Sequence, residues 1–239
     1  MSKHMHRIAA PRNYPILRKT AHYVIKLSPG PHPKKASLPL LVVLRDVLKV
    51  GYTQKEIKHI LNDKKVLVDG KVRKSMKFPV GFMDLLSLPL LKENFRVLFN
   101  KDSSLHFMKI NEAESKLKLC KVMDKTLLSK GKTQLNLHDG RNIIVDDKKY
   151  KSGDSVLITV PEQKITKHLP LEKDMLVYII DGKHVGETAK LVDFRSMAGS
   201  TADRVMLNSH AGEKFETLKK YVFVIGKEKP EIHIGGEHQ

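Results

Sequence analysis

Three short stretches of the sequence carry residue types that could support nucleotide binding or catalysis. The segment SKGKT at 129–133 matches the end of a phosphate-binding loop, in which backbone amides and a lysine hold nucleotide phosphates. The full pattern needs a glycine five positions before Gly131, where Thr126 stands, and a helix afterwards, where the residues are strand-like. We therefore interpret 129–133 as a turn.

The other reactive side chains form no arrangement typical of an active site. Asp146 and Asp147 are adjacent, so strand alternation directs their carboxylates to opposite sides. The twelve histidines are scattered, and His4 and His6 lack the cysteine or carboxylate spacing of a zinc site. Cys120 is the only cysteine, which excludes an internal disulfide, favours a reducing compartment and predicts a buried, inert thiol. We expect no catalytic residue, no metal and no cofactor.

The charge of the chain indicates a polyanionic partner. The 239 residues include 44 Lys+Arg and 26 Asp+Glu, a formal net charge of +18. Residues 1–37 contain eight Lys+Arg and no acid, whereas residues 171–239 contain ten Lys+Arg and eleven acids. The basic excess is therefore concentrated toward the N-terminus. An apolar content of 41% without tryptophan favours several small cores over one large core.

Membrane association is not expected from the hydropathy pattern. The longest apolar runs, LPLLVVL and FMDLLSLPLL, are shorter than the roughly 20 residues that a spanning helix needs. The N-terminal residues MSKHMHRIAAPRN lack the apolar segment of a signal peptide. These features predict a cytoplasmic protein.

The first segment, 1–37, combines prolines, cations and aromatic rings. Five prolines disfavour a helix and favour an extended path. One interpretation is a disordered tail; the other is an arm that becomes ordered along phosphates. We favour the arm, because it contains aromatic residues and no acid, and we expect it to be disordered without RNA.

Residues 38–91 predict two helices followed by a hairpin. Apolar residues recur at helical spacing over 38–50. Thr53 and Glu56 form the pattern of a capping box at the start of a second helix, 54–63. The stretch VLVDGKVR alternates around Asp69-Gly70, a strong signal for a tight hairpin turn.

The remaining residues predict short strands. Alternating segments over 92–170 favour a small barrel or sandwich, although 113–125 is also compatible with a helix. Residues 171–239 repeat this pattern and end in a loose Gly-, Glu- and His-containing tail.

A family resemblance follows from these segments. EIKHILNDKKVLVDGKVRKSMKFPV resembles the S-four-type RNA-binding domain, in which a helix precedes a hairpin that carries basic residues. Together with APRNYPILRKT and PGPHPKKASLPLLVVLRDVLK, it is similar to the archaeal and eukaryotic small-subunit ribosomal protein family S-four of the e-type. This resemblance covers essentially the whole chain.

The last segment resembles the KOW motif of that family in LVYIIDGKHVGETAKLVDF. Gly182 and Gly186 match the glycines of the motif's loop, and Ala189 stands where a further glycine is common. The resemblance implies an SH3-like barrel whose loop approaches RNA or a neighbouring protein. The near-neutral charge of this segment favours a mixed interface.

The expected architecture is therefore α+β and multidomain. It comprises a basic extended N-terminal arm (1–37), a small α/β RNA-binding domain (38–91), a β-rich central domain (92–170) and an SH3-like KOW β-barrel (171–239). The resemblance implies a structural constituent of the small ribosomal subunit, with small-subunit rRNA and neighbouring ribosomal proteins as partners. The predicted RNA-binding residues are Arg7, Arg12, Arg18, Lys19, Lys34, Lys35, Arg45, Lys55, Lys58, Lys64, Lys65, Arg73, Lys74 and Lys77, and the predicted KOW loop residues are Gly182, Lys183, His184 and Gly186.

Two other functions remain open at this point. S-four-type domains are also appended to RNA-modifying enzymes, which need a catalytic domain with convergent polar residues. KOW segments also occur in transcription and translation factors, which would not explain the proline-rich basic arm.

Overall fold

The computed structural model describes residues 5–147, 149–195, 203–209 and 212–234. The chain forms two compact units, residues 1–116 and 117–239. The architecture is α+β with strands in the majority, in agreement with the expected class. Among the described residues, no helix is long and apolar enough to cross a membrane.

The first unit contains two helical segments and short antiparallel strands. The helical segments are α1 (Leu40–Val42, continuing as a π-helix over Val43–Val47) and α2 (Gln54–Asn62). The strands are β1 (Met5–His6), β2 (Tyr23–Val24), β3 (Ser37–Pro39), β4 (Leu67–Val68), β5 (Lys71–Val72), β6 (Pro79–Gly81), β7 (Leu85–Leu88), β8 (Glu93–Phe99) and β9 (Leu105–Ile110). The main sheet has the order β5-β4-β7-β8-β9, and β1-β2 and β3-β6 form separate pairs.

The first predicted helix is shorter than residues 38–50. Pro39 lies in extended backbone at its N-cap, and Lys49 has a φ of 54°, which the right-handed helix does not allow. Between these ends the turn widens, since the Leu48 N–H donates to the Val43 carbonyl oxygen at 2.9 Å, a π-type spacing. The predicted apolar face is nevertheless the buried one, with Leu40, Leu41 and Leu44 in the core.

The second helix and the hairpin form as predicted. The Thr53 hydroxyl accepts from the Glu56 N–H at 3.2 Å, and the Glu56 carboxylate accepts from the Thr53 N–H at 3.4 Å, which completes the capping box. Asp69 and Gly70 have φ values of 51° and 68°, the left-handed pair that a type I′ turn requires. Asp69 also fixes the turn to β7, because its Oδ1 accepts from the Leu85 N–H at 3.0 Å.

The N-terminal segment differs from the extended, disordered arm that we expected. Met5, Ala10, Tyr14 and Val24 are buried in the same core as α1 and α2. Prolines interrupt the backbone ladder here, and the guanidinium of Arg18 compensates for this by donating to backbone carbonyl oxygens. Apolar burial and this internal bonding together keep the segment folded against the first unit.

The strands after residue 91 also lie elsewhere than predicted. We assigned 92–170 to one central domain, but β8 pairs with β7 and β9 pairs with β8 in the sheet of the first unit. The division between the compact units falls after Lys116. Alternation predicts a strand but not its neighbour, because strand pairing depends on contacts distant in sequence.

The second unit contains two five-stranded antiparallel sheets. The first has the order β12-β11-β10-β13-β14 and the second has the order β18-β17-β16-β15-β19. Their bounds are β10 (Leu117–Leu127), β11 (Thr133–Leu137), β12 (Asn142–Val145), β13 (Ser155–Thr159), β14 (Ile165–Leu169), β15 (Leu176–Ile179), β16 (Thr188–Arg195), β17 (Arg204–Ser209), β18 (Lys214–Leu218) and β19 (Val222–Gly226). Short 3-10 helices occur in both units, at Lys34–Ala36 and Glu114–Lys116 in the first and at Ser129–Gly131 and Lys219–Tyr221 in the second.

Two alternatives from the sequence are resolved in this unit. Residues from Leu117 onward form the long strand β10, so the helical alternative for 113–125 is wrong apart from the short 3-10 turn before it. The SKGKT stretch is a 3-10 turn that leads into β11, and no phosphate-binding loop with a following helix forms there. A loose tail was predicted for the last ten residues: 235–239 lie outside the described residues, whereas Ile232 and Ile234 in the described half are buried.

Candidate nucleic-acid interface

Helix α2 presents cations outside its buried stripe. Ile57 and Leu61 pack into the core, whereas Lys55 and Lys58 are exposed, as is Lys64 just after the helix. Its capping box holds the helix start, and the hydrogen bond from the Tyr52 N–H to the Glu56 carboxylate lowers the pKa of that carboxyl group. The helix is thus a rigid support for exposed ammonium groups.

The hairpin and the residues after it add further cations in the same unit. Lys74 and Lys77 are exposed. Arg73 is half-buried, and its guanidinium carbon lies 4.3 Å from the centroid of the Phe78 ring. A cation over an aromatic face is restricted in direction, and this contact holds the Arg73 guanidinium against the Phe78 ring.

Two of the predicted RNA-binding residues already have acidic partners. Arg45 donates twice to the neighbouring Asp46, with both distances 3.0 Å. Lys65 Nζ lies 2.7 Å from Asp63 Oδ2. Both residues are only partly exposed, so a phosphate would have to compete with a carboxylate for them.

Arg7 and Arg18 bond to the backbone of their own segment. The Arg18 guanidinium donates to the Ala10 carbonyl oxygen at 2.7 Å and to that of Pro11 at 2.8 Å, and Arg7 Nε donates to the Leu17 carbonyl oxygen at 2.9 Å. The structure thus gives these two arginines a role in holding the N-terminal segment together.

The remaining predicted cations are exposed and, within the described residues, form no ion pair with an acid. Such residues keep their full positive charge available for an external anion. They are Arg12, Lys19, Lys34, Lys35, Lys55, Lys58, Lys64, Lys74 and Lys77.

Three of these cations meet at one groove. Arg12, Lys34 and Lys35 line a depression of about 470 Å³ together with Ala9, Pro11, Asn13 and Ser103. The lining residues come from the N-terminal segment, the 3-10 helix at Lys34–Ala36 and the loop between β8 and β9. Sequence spacing does not predict that these residues lie around one groove, because Ser103 is distant from the other segments along the chain.

An exposed aromatic residue was missed by the sequence analysis. The side chain of Tyr52 is 84% exposed and directly precedes the N-cap of α2, near the exposed Lys55. Its position outside both apolar stripes of residues 38–63 is the signal that would have identified it. A tyrosine ring exposed in this way offers a flat face on which another ring can stack.

The loop predicted from the KOW resemblance joins β15 to β16. Gly182 and Gly186 have φ values of 100° and 81°, so both use backbone conformations that favour glycine. Lys183 is exposed, whereas the His184 ring stacks on Phe215 with centroids 4.1 Å apart and bonds to Glu187. Ala189 is buried and pairs with Val177 and Ser209, so a side chain is accommodated there.

One group of side chains has the donor types of a metal site. Ligand atoms of Cys120, His138 and Asp139 lie within 4.8 Å of one another. However, Lys118 Nζ is 3.0 Å and Arg141 Nε is 3.2 Å from Asp139 Oδ2. Burial alone would raise the pKa of Asp139, but the charges of Lys118, His138 and Arg141 lower it to about 2. Two cations on the carboxylate oppose a metal ion, and the group is better explained as a buried ion pair.

Comparisons with known proteins agree with this set of features. Residues 91–165 match the model of ribosomal family S4e, and residues 1–35 match the RS4NT (NUC023) domain. The chain is 44% identical over 238 residues to small ribosomal subunit protein eS4 of Methanococcus maripaludis strain C5, covering 96% of both chains. It is 45% identical over 240 residues to the eS4 protein of Methanocaldococcus jannaschii, covering 97% of both.

A solved structure shows the same relationship. The crystal structure of the 30S ribosomal protein S4e from Thermoplasma acidophilum superposes with a TM-score of 0.70 at 35% identity, covering 81% of this chain and 96% of that chain. Identity of this extent over nearly the full length establishes the family, as the sequence resemblance indicated. The chain belongs to ribosomal protein family S4e.

Proposed function

We propose that this chain is a structural constituent of the small ribosomal subunit, in the cytoplasm, that binds and stabilises folded small-subunit rRNA. Its role is to neutralise and hold RNA, and no catalytic step is involved. The observation that carries the proposal is the set of exposed cations in the first unit that form no ion pair with an acid within the described residues. Family membership supports the assignment, since the relatives named above are small-subunit proteins.

The physical basis is counterion release. RNA holds a condensed layer of cations, and each phosphate that meets a lysine or arginine releases counterions to the solvent. Lysines on the rigid helix α2 and after the β4–β5 hairpin are suited to phosphates in a folded RNA, whose shape brings several strands close together. Tyr52 adds a ring on which an unpaired base can stack.

The sheet formed by β15 to β19 has a different role from the first unit. We assign β15 to β19 to an SH3-like KOW barrel, with Gly182 and Gly186 in the characteristic loop. Lys183 is the exposed cation of that loop, and residues 171–239 carry almost balanced charge. Balanced charge suits an interface shared between rRNA and neighbouring ribosomal proteins better than one with RNA alone.

Binding to rRNA over a salt series tests this function. We would compare the wild-type chain with a variant in which Lys55, Lys58, Lys64 and Lys74 are replaced by Gln. If each lysine neutralises one phosphate, the slope of log affinity against log salt becomes shallower by about 3.

The matched control removes the same charge from parts of the second unit outside β15–β19, by replacing Lys151, Lys164, Lys227 and Lys229 with Gln. We expect its slope to stay close to that of the wild type. Equal effects of the two variants would mean that only total charge matters, and weak, salt-insensitive binding by the wild type would contradict the proposal as a whole.

A further inference from the structure

The groove lined by Arg12, Lys34 and Lys35 has the charge of an anion site. Three cations line its volume of about 470 Å³, and none of the described residues that line it is acidic. Asp102 precedes Ser103 in the β8–β9 loop but does not line the groove. The positive charge in this concave surface is therefore not neutralised by the groove itself, and low-dielectric walls concentrate its field.

The groove is also held in shape before any ligand arrives. The Asn13 side-chain amide donates to the Lys35 carbonyl oxygen at 2.8 Å, which ties the N-terminal segment to the 3-10 helix at Lys34–Ala36. The Ser37 hydroxyl donates to the Pro33 carbonyl oxygen at 2.8 Å. In the β8–β9 loop, Ser103 is fixed in a tight turn by its N–H bond to the Asn100 carbonyl oxygen at 2.9 Å. Preorganisation of this kind lowers the entropic cost of binding.

The donors match phosphate chemistry in type as well as in charge. The guanidinium of Arg12 offers a planar fork of N–H groups suited to two oxygens of one phosphate. Lys34 and Lys35 offer compact ammonium charges, and the Ser103 hydroxyl can donate a further hydrogen bond. Ligand pockets usually have volumes of roughly 300–1,000 Å³, so this groove is larger than a lone ion requires.

We propose that this groove binds adjacent phosphates of one RNA strand. The inference rests on the function proposed above and deepens it by naming one site and the part of the RNA that the site takes. Arg12 contacts one phosphate, the two lysines contact its neighbour, and Ser103 bonds to the backbone between them. Asn13 is a positioning residue, because it acts through Lys35 and not on the ligand.

The first test replaces the cations of the groove. In a variant with Arg12, Lys34 and Lys35 changed to Gln, we expect at least tenfold weaker binding to a small-subunit rRNA fragment and a salt slope shallower by about 2. The control changes Lys164, Lys227 and Lys229 to Gln and should lie near the wild type. Unfolding midpoints are compared for all variants, because the replaced side chains are exposed and stability should not change.

The second test asks directly what enters the groove. Cys120 is buried, so a cysteine introduced as Ser103→Cys can be labelled selectively with a photo-crosslinker. In isolated small subunits that contain the labelled chain, we expect crosslinks to rRNA. Crosslinks confined to an acidic segment of a neighbouring protein would overturn the proposal.

The two proposals fail in different ways. If the wild-type chain binds rRNA with a steep salt dependence but the groove variant binds equally well with the same slope, the groove inference is wrong and the ribosomal function stands. If the wild-type chain shows no rRNA binding, both are wrong. Loss of affinity in Asn13→Ala without a change of charge would further support a preorganised site.

Discussion

Lys121 Nζ lies 2.6 Å from the carbonyl oxygen of Val222 and 2.9 Å from that of Lys220. The Lys121 side chain extends from β10 and donates to carbonyl oxygens of the 3-10 helix that precedes β19. It therefore links the two sheets of the second unit. Three backbone carbonyls, including that of Lys219, accept from this one side chain. Lys121 has no carboxylate partner among the described residues, and the carbonyl dipoles take the place that an acid would have beside a buried lysine.

Because of this buried lysine, the free energy of unfolding of the protein should depend on pH. Burial and, to a smaller extent, the positive charge of Lys219 lower the pKa of Lys121 from 10.5 to about 8. Between these values the unfolded chain holds a proton that the folded chain releases, so stability rises with pH across that window. We expect the wild type to gain about 3 kcal/mol relative to Lys121→Met from pH 8 to 10.5, measured by urea unfolding.

A surface lysine provides the control for that measurement. Lys190→Met removes the same charge from an exposed position of β16. The difference in free energy of unfolding between the wild type and this variant should stay nearly constant over the same pH range. If the Lys121 variant behaves in the same way, the ammonium group is not buried as described.

The buried Arg96–Glu114 ion pair should contribute more to the free energy of unfolding than the exposed Lys109–Glu93 pair. Arg96 is fully buried and donates to Glu114 at 2.9 Å, and burial lowers the pKa of its guanidinium. Removing the acid leaves a buried charge with fewer partners, so Glu114→Ala should cost about 3 kcal/mol of unfolding free energy. Glu93→Ala breaks an exposed pair with Lys109 and should cost at most about 1 kcal/mol. Equal losses in denaturant titrations would contradict the assigned burial.

Two neighbouring cations of the N-terminal segment should behave differently. Arg18 holds backbone carbonyls, whereas Lys19 is exposed. Arg18→Ala should therefore expose the segment to proteolysis in the absence of RNA, and Lys19→Ala should leave the cleavage rate unchanged. Mass spectrometry of limited digests measures both. Rapid cleavage of the wild-type segment would instead support the disordered arm that the proline content suggested.

Tyr52 provides a test of base stacking that does not depend on charge. If its ring supports an RNA base, Tyr52→Ala should weaken binding to small-subunit rRNA by roughly 1–3 kcal/mol, about five- to 150-fold. The salt slope should not change, because no phosphate contact is lost. Tyr52→Phe keeps the ring and should bind like the wild type. A shallower slope in the alanine variant would mean that Tyr52 acts by positioning Lys55.

The elements predicted correctly are those whose signals are local. The Thr53–Glu56 capping box and the Asp69-Gly70 turn each depend on residues within a few positions of one another, so the sequence alone was sufficient. These two features position Lys55, Lys58 and the basic residues after the hairpin. A large part of the candidate interface could therefore be predicted.

The features that were missed depend on long-range packing. The pairing of β8 with β7 is not encoded in the alternation of either strand, so the predicted boundary fell too early. Tyr14 was predicted to lie in an extended arm, but it is buried in the core of the first unit. Lys118 and Lys121 are indistinguishable from surface lysines until their buried partners are known.

The composition of isolated small subunits tests the central claim most directly. Ribosomal subunits from the cells that produce this chain would be separated by sedimentation at high salt, and the chain quantified against the other small-subunit proteins by mass spectrometry. We predict about one copy per small subunit and none in the large subunit. A chain found mainly free, or far below one copy per small subunit, would contradict the assignment as a structural constituent.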